Sequence, residues 1–565
     1  MPDLTITIGG EAGQGVQTIG EVLSRILIRN GFYVFSIQDY HSRIRGGHNS
    51  VQVRFSDQPI QAIGTDMDLL VCLNPETQEI HQPALKKDGI MIGTISSTPS
   101  PSLPSSMISI HFNEMAKELG NRIFANIIAV GALIEILGID EKIAELYLEE
   151  NFQKKGKDII RLNKEALALG QNEIRRHQIS RKFLDKRNGS QNPGNLFIVG
   201  GNEALGLGAI LAGCTFYSAY PMTPSTGVMN FISSRSKKYG IIVEQAEDEI
   251  AAINMAIGAS YAGAKAMTAT SGGGFCLMAE GLGLAAMTET PIVILDGMRP
   301  GPSTGLPTRT SQGDLEFVLS ASHDEFPRFV FAPRDPQDAI DTMIRAFNLS
   351  DYFQVPVIIL SDQYLADSNW TFSQIKVNEQ PKNTQTVIGD QNYQRYALTE
   401  SGISPRALPG MSDALVIADS DEHDEIGHLT EDLELRVQMH QKRMKKIEKM
   451  REKTRPPFYK AGKTATIVGW GSTYGVLYEA REKLAKSGVD VGLLHFNDIY
   501  PLSKDILTFI KSVPQPVVVE GNYQGQLARL LERETQTPFD CRINRYDGRP
   551  FFVNELVNQI REVLS

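Results

Sequence analysis

Apolar and polar residues alternate over residues 4–8, break at Gly9-Gly10-Glu11-Ala12-Gly13-Gln14-Gly15, and resume at helical spacing over residues 18–29. The chain therefore opens on a strand, a glycine-rich loop and a helix. Apolar runs at 33–37, 51–55, 69–73 and 107–110 predict further strands, and 122–137 predicts a helix. From about 173 to 195 the chain turns basic and polar without apolar periodicity, which marks a linker. A second glycine-rich unit opens at Leu196-Phe197-Ile198-Val199-Gly200-Gly201-Asn202 and includes apolar strands at 291–295 and 355–360. Residues 369–460 are polar and irregular, and within 439–457 eight Lys/Arg meet two acids, the pattern of a solvated helix and linker. A last unit begins at Thr464-Ala465-Thr466-Ile467-Val468-Gly469 and carries strands at 491–495 and 516–520. The expected architecture is three α/β domains, at 1–175, 196–372 and 461–565, joined by linkers at 176–195 and 373–460.

Composition narrows the function classes. A chain of 565 residues exceeds what one core organises, and 41% apolar with 22% charged residues is ordinary for a folded protein. The net charge of −10 argues against nucleic acid or an anionic membrane as a general partner. Cys72, Cys214, Cys276 and Cys541 are dispersed, with no Cys-x-x-Cys pair, so neither a metal site nor an iron-sulfur cluster is expected in this chain. The N-terminus runs almost directly into a strand pattern, and no apolar run reaches membrane-spanning length, so a cytoplasmic setting is expected.

Several motifs bear on chemistry. The Gly9–Gly15 loop suits either an anion held by backbone N–H groups at a helix start or a plain tight turn. It has neither a P-loop ending nor dinucleotide-fingerprint spacing. Arg43 and Arg45, beside Gly46 and Gly47, suit phosphate or carboxylate gripping and equally a surface salt bridge. His423 and His428 are five apart with a glycine between them, a poor match to a helical zinc motif. In Tyr220-Pro221-Met222-Thr223-Pro224-Ser225-Thr226, two prolines stiffen a hydroxyl-rich loop able to present Thr223 to a ligand. Glu249 stands at the entrance of a helix of small residues, where a carboxyl is either a helix-dipole partner or a working group. Thr270-Ser271-Gly272-Gly273-Gly274 ends a strand in a turn against which a flat cofactor can lie. The loop Gly305-Leu306-Pro307-Thr308-Arg309 carries an arginine able to clamp a carboxylate.

Taken together, Tyr-Pro-x-Thr-Pro-Ser, the acidic cluster before the small-residue helix, Thr-x-Thr-Ser-Gly-Gly-Gly and Gly-Leu-Pro-Thr-Arg resemble the pyrimidine-binding domain of 2-oxoacid:ferredoxin oxidoreductases. The N-terminal Gly-Gly-x-x-Gly-Gln-Gly with Arg-Gly-Gly resembles that family's gamma domain. Glu520-Gly521-Asn522-Tyr523-Gln524-Gly525-Gln526-Leu527 and Tyr546-Asp547-Gly548-Arg549-Pro550-Phe551 resemble its transketolase-C-terminal-like domain. The resemblance implies a Rossmann-like gamma domain fused ahead of an alpha subunit. It implies thiamine diphosphate shared with a beta subunit that holds Mg²⁺ and the iron-sulfur cluster, consistent with the absence here of a Gly-Asp-Gly signature followed by paired asparagines. By similarity Glu249 is buried and partners N1′ of the aminopyrimidine as the catalytic carboxyl. Tyr220, Pro221, Thr270, Ser271 and Gly272 line the cofactor, and Thr223 and Arg309 hold the substrate's oxo and carboxylate oxygens. Gly13, Gly15, Arg43 and Arg45 contact coenzyme A.

The expected reaction is coenzyme-A-dependent oxidative decarboxylation of a 2-oxoacid, with electrons passed to ferredoxin. A fused gamma–alpha chain slightly favours 2-oxoglutarate over pyruvate. The expected assembly is an (alpha-beta)2 heterotetramer. Two alternatives remain: a subunit of a non-oxidative thiamine decarboxylase, against which the gamma-like domain weighs, and a non-catalytic subunit on the same scaffold, against which joint retention of Glu249, Thr223 and Arg309 weighs.

Overall fold

The computed structural model describes residues 3–41, 47–95, 106–177, 183, 196–382 and 386–565. Arg43 and Arg45, and most of the linker expected at 176–195, lie outside the described residues. The chain packs as two compact units, one of residues 1–199 with 368–375 and 552–555, the other of 200–367 with 376–551 and 556–565.

The first unit is built on an eight-stranded mixed sheet. Parallel strands Ser106–Ser109, Leu85–Gly93, Met67–Cys72 and Asp3–Glu11 lead into antiparallel His48–Ser56 and Tyr33–Asp39. The helix Val16–Arg29 buries Val16, Ile19, Leu23, Ile26 and Leu27, the apolar stripe its sequence spacing demands. Ala125–Leu137 is apolar nearly all round and forms the centre of this core, because the helices Val16–Arg29, Phe112–Glu118 and Lys157–Arg176 pack against it. The strand Ser368–Phe372 adds antiparallel to Tyr33–Asp39, and Phe197–Gly200 follows it at the edge. A domain boundary drawn at 372 by composition therefore differs from the packing. Trp370 is buried edge-on against Phe35, so the chain returns to complete this sheet.

The second unit holds two sheets. In the seven-stranded sheet the order is Asp498–Tyr500, Phe329–Phe331, Pro356–Asp362, Ile292–Met298, Ala266–Thr270, Phe216–Ala219 and Ile242–Gln245, all parallel apart from the first strand. The five-stranded sheet, Phe458–Lys460, Val491–Phe496, Ala465–Trp470, Pro516–Glu520 and Arg542–Asn544, is parallel except for its first strand. One apolar core spans both sheets.

The stretch expected as a linker at 373–460, with its solvated helix, is instead folded into this unit. The helix Leu433–Lys453 buries Met439, Lys442, Arg443, Lys446 and Met450. Lys442 Nζ and Lys446 Nζ donate to the two oxygens of buried Glu289 at 2.5 and 2.6 Å, and Arg443 forks onto Glu422 at 2.9 and 2.7 Å. A basic face reads as solvated in sequence only because its acidic partner, Glu289, is remote along the chain.

Candidate functional site

Four neighbouring parallel strands end side by side, and three of them carry a sequence-predicted motif past the carboxyl end, where open α/β sheets place their ligands. Ile242–Gln245 leads to Glu249, Phe216–Ala219 to Tyr220–Ser225, Ala266–Thr270 to Ser271–Gly274, and Ile292–Met298 to Arg299. The loops are thereby brought together by topology alone.

Glu249 is the first residue of the helix Glu249–Tyr261 and only 3% exposed. Asp248, extended at φ −149°, caps that helix by accepting from the Ala251 N–H at 2.8 Å. The cap does the work of a helix-terminal carboxyl, which leaves Glu249 to turn inward. Ser218 donates to the Ala252 carbonyl at 2.6 Å and fixes the first helical turn to the strand before Tyr220. The Thr270 hydroxyl donates to Glu249 Oε1 at 3.5 Å. A Cβ on Gly274 would collide with both the Glu249 carboxylate and the Thr270 hydroxyl, so the floor of the site is bare backbone. Ser271 is fully buried, and its hydroxyl has no hydrogen-bond partner among the described residues. A Cβ on Gly272 would strike the Asp314 carboxylate.

Thr223 is half-buried, and its carbonyl accepts from Arg299 Nη1 at 2.8 Å. Pro221 is half-buried, and Tyr220 is 40% exposed at the rim. Arg309 packs against the C-terminal loop. A Cβ on Gly548 would lie 3.0 Å from that of Arg309, and the Thr310 N–H donates to the Gly548 carbonyl at 3.1 Å. Beside Thr310 opens a cavity of about 30 Å³, lined also by Gln312, Asp362, Ser472, Arg545 and Arg549. Burial pushes Asp362 up to about 6 although Ser472 hydrogen-bonds it.

Sequence reasoning missed Arg299 and Asp296 and gave Asp314 no role. Asp296 lies fully buried in the apolar strand Ile292–Met298. Burial first, then the charge of Asp314, raises it well above the usual carboxylate range. A lone acid inside Ile292-Val293-Ile294-Leu295-Asp296 was the available signal.

In the other unit, Gly13 and Gly15 take left-handed conformations at φ 91° and 80° between the strand Asp3–Glu11 and the helix Val16–Arg29. His423 is buried on the Tyr396 ring with its Nδ1 near the Asp421 carbonyl, whereas His428 is exposed near Asp424. No group of three metal-ligating side chains occurs among the described residues. No helix among them is long and apolar enough to cross a membrane.

Residues 5–173 match the family described as pyruvate ferredoxin/flavodoxin oxidoreductase, and 207–442 match its thiamine-diphosphate-binding domain. The 2-oxoacid:ferredoxin oxidoreductase subunit alpha of a Sulfolobus species is 32% identical, across all of this chain and 97% of the relative. The 2-oxoglutarate oxidoreductase subunit KorA of Mycobacterium tuberculosis is 27% identical, across all of this chain and 92% of that one. A solved structure of 2-oxoglutarate:ferredoxin oxidoreductase from Magnetococcus marinus, with 2-oxoglutarate, coenzyme A and succinyl-CoA bound, superposes with a TM-score of 0.93 at 33% identity, covering both chains in full.

Proposed function

The chain belongs to the 2-oxoacid:ferredoxin oxidoreductase alpha-subunit family, and on that premise we propose that its buried Glu249 is the catalytic carboxyl of a coenzyme-A-dependent 2-oxoacid decarboxylation. The carbon–carbon bond to the substrate carboxylate breaks and carbon dioxide leaves. The acyl carbon forms a thioester with coenzyme A, two electrons pass singly to ferredoxin, and one proton is released. When bound, thiamine diphosphate supplies the carbanion chemistry that makes the cleavage possible.

The observation that carries the reading is Glu249 itself. It is buried, its Thr270 contact is a long 3.5 Å, and it faces a floor without a Cβ. Such a carboxylate fits a ring nitrogen that must share a proton, and the glycine floor fits a flat aminopyrimidine. Tyr220, Pro221, Thr270, Ser271 and Gly272 are the lining. Thr223 and Arg309 hold the 2-oxoacid through hydroxyl and guanidinium donors.

Among substrates 2-oxoglutarate is favoured over pyruvate, because the full-length structural relative holds it and KorA is named for it. Gly13 and Gly15 offer backbone N–H groups to coenzyme A, joined by Arg43 and Arg45. A beta subunit supplies Mg²⁺ and the iron-sulfur cluster, in an (alpha-beta)2 assembly. The test is to purify the chain with its beta partner and measure coenzyme-A-dependent reduction of a one-electron acceptor with each 2-oxoacid. Turnover with 2-oxoglutarate above pyruvate is expected. Decarboxylation that proceeds equally without coenzyme A and acceptor contradicts the proposal and favours the non-oxidative alternative.

A further inference from the structure

The cavity of about 30 Å³ beside Thr310 is formed at the carboxyl ends of parallel strands from both sheets of the second unit. Asp362 closes Pro356–Asp362, Ser472 follows Ala465–Trp470, Gly521 follows Pro516–Glu520, and Arg545 follows Arg542–Asn544. Ligands of open α/β sheets collect at such ends. The space exceeds the roughly 10–15 Å³ that one water needs and is far below that of a whole cofactor, so it suits one small group of a larger molecule.

The wall of the cavity is held in place from several sides. Gln312 accepts from the Gly521 N–H at 2.9 Å and donates to the Trp470 carbonyl at 2.9 Å, which ties the loop after Arg309 to two strand ends. The Tyr364 N–H donates to Thr310 Oγ1 at 3.3 Å. Two guanidinium groups line the space. Arg549 forks onto Asp547 at 2.9 and 2.7 Å. The Arg545 side chain is only 9% exposed, lies 5.4 Å from the centre of the Phe551 ring and stands 4.0 Å from Asp547. The oxygens of Asp362 accept from the Leu365 N–H at 2.8 Å and the Ser472 hydroxyl at 2.5 Å, so that acid is already engaged.

Thr310 continues the chain directly from Arg309, about 3.8 Å on between consecutive Cα atoms. Gly548 backs Arg309, and its carbonyl holds the Thr310 N–H. The arginine assigned to one substrate carboxylate therefore adjoins a second anion-sized space that contains another, buried arginine. A substrate with two carboxylates matches this arrangement, and pyruvate has one. We propose that the cavity is the subsite for the distal carboxylate of a dicarboxylic 2-oxoacid, with Arg545 as the specificity-determining residue and Arg309 kept for the carboxylate that is lost. The assignment rests on the 2-oxoacid reading above. A guanidinium recognises a carboxylate through charge-assisted hydrogen bonds, and the Thr310 hydroxyl adds a donor beside it.

The experiment measures kcat/KM of the assembled enzyme for 2-oxoglutarate, 2-oxopentanoate and pyruvate. 2-Oxopentanoate keeps the chain length of 2-oxoglutarate and lacks the distal charge, so the ratio of those two isolates what the charge contributes. In the parent the ratio should be roughly 10–100-fold, as expected of hydrogen bonds to a charged group. Arg545→Met should bring the ratio close to one, and Arg545→Lys should restore part of it. Equal proportional loss for all three substrates in Arg545→Met is the response of an arginine that only holds the loop against Phe551, and it overturns the subsite. A ratio unchanged in Arg545→Met overturns it as well. Should Arg545→Met fail to fold, the parental ratio still decides, because equal kcat/KM for 2-oxoglutarate and 2-oxopentanoate leaves no distal carboxylate subsite. Coenzyme-A-dependent turnover with none of the three contradicts the 2-oxoacid reading itself.

Discussion

The Thr270 hydroxyl meets Glu249 Oε1 at 3.5 Å, the outer limit of a hydrogen bond, so a buried carboxylate keeps most of its accepting capacity unused. Around it the chain has removed competitors, with Asp248 taking over the helix cap and Gly274 withholding a side chain.

This division of labour separates two neighbouring acids. Asp248→Ala should lower stability by about 1 kcal/mol through the lost cap, with turnover close to parental. Glu249→Gln should leave the unfolding midpoint nearly unchanged and lower kcat by roughly 10²–10⁴ for every 2-oxoacid, the cost of a missing acid/base group. Paired denaturation and steady-state kinetics check the contrast. An activity loss in Asp248→Ala as large as in Glu249→Gln contradicts it.

Arg309 is held against Gly548, the turn of the Tyr546-Asp547-Gly548-Arg549 loop. Arg309→Met should reduce kcat/KM for 2-oxoacids by about 2–5 kcal/mol, as expected when one partner of a buried charge pair is removed. Thiamine diphosphate binding should survive. Unchanged kcat/KM for all 2-oxoacids rules out the carboxylate role.

The buried cluster of Glu289, Lys442 and Lys446 makes a prediction about stability and pH. Glu289→Gln strands two buried ammonium groups and should destabilise the chain by about 3–5 kcal/mol, measured as a shift in the denaturation midpoint. Burial pushes Lys446 down to about 8 from 10.5, against the pull of Glu289. Between those values the unfolded chain binds more protons than the folded one, so this group makes stability rise with pH from about 8 toward 10.5. The rise should be smaller in Lys446→Met. An identical slope in both proteins contradicts the assignment.

The dispersed cysteines make a compositional prediction. Cys72 and Cys214 are buried, Cys276 is exposed and Cys541 is half-buried. The chain purified alone should lack iron-sulfur absorbance and turnover, and addition of the beta subunit should supply both. Stoichiometric iron and sulfide in the isolated chain would sink this expectation.

Local patterns carried much of this reading, and long-range pairings carried none of it. The helix Val16–Arg29 and the small-residue helix at Glu249 were legible because their buried faces repeat at helical spacing within a few turns. Arg299 escaped notice because its partners, Thr223, Asp296 and Asp314, converge only when separate strand ends align. The helix Leu433–Lys453 looked solvated for the same reason, since Glu289 lies 153 residues from Lys442. The strand Ser368–Phe372 was assigned by sequence to the domain preceding it, yet its pairing partner is Tyr33–Asp39.

What Glu249 does to the cofactor is read directly by hydrogen–deuterium exchange at thiamine C2 in the assembled enzyme, before any substrate is added. In Glu249→Gln the exchange should slow by roughly 10²–10⁴, matching the loss expected of an acid/base group. Exchange as fast in Glu249→Gln as in the parent contradicts the assignment of Glu249 as the catalytic carboxyl.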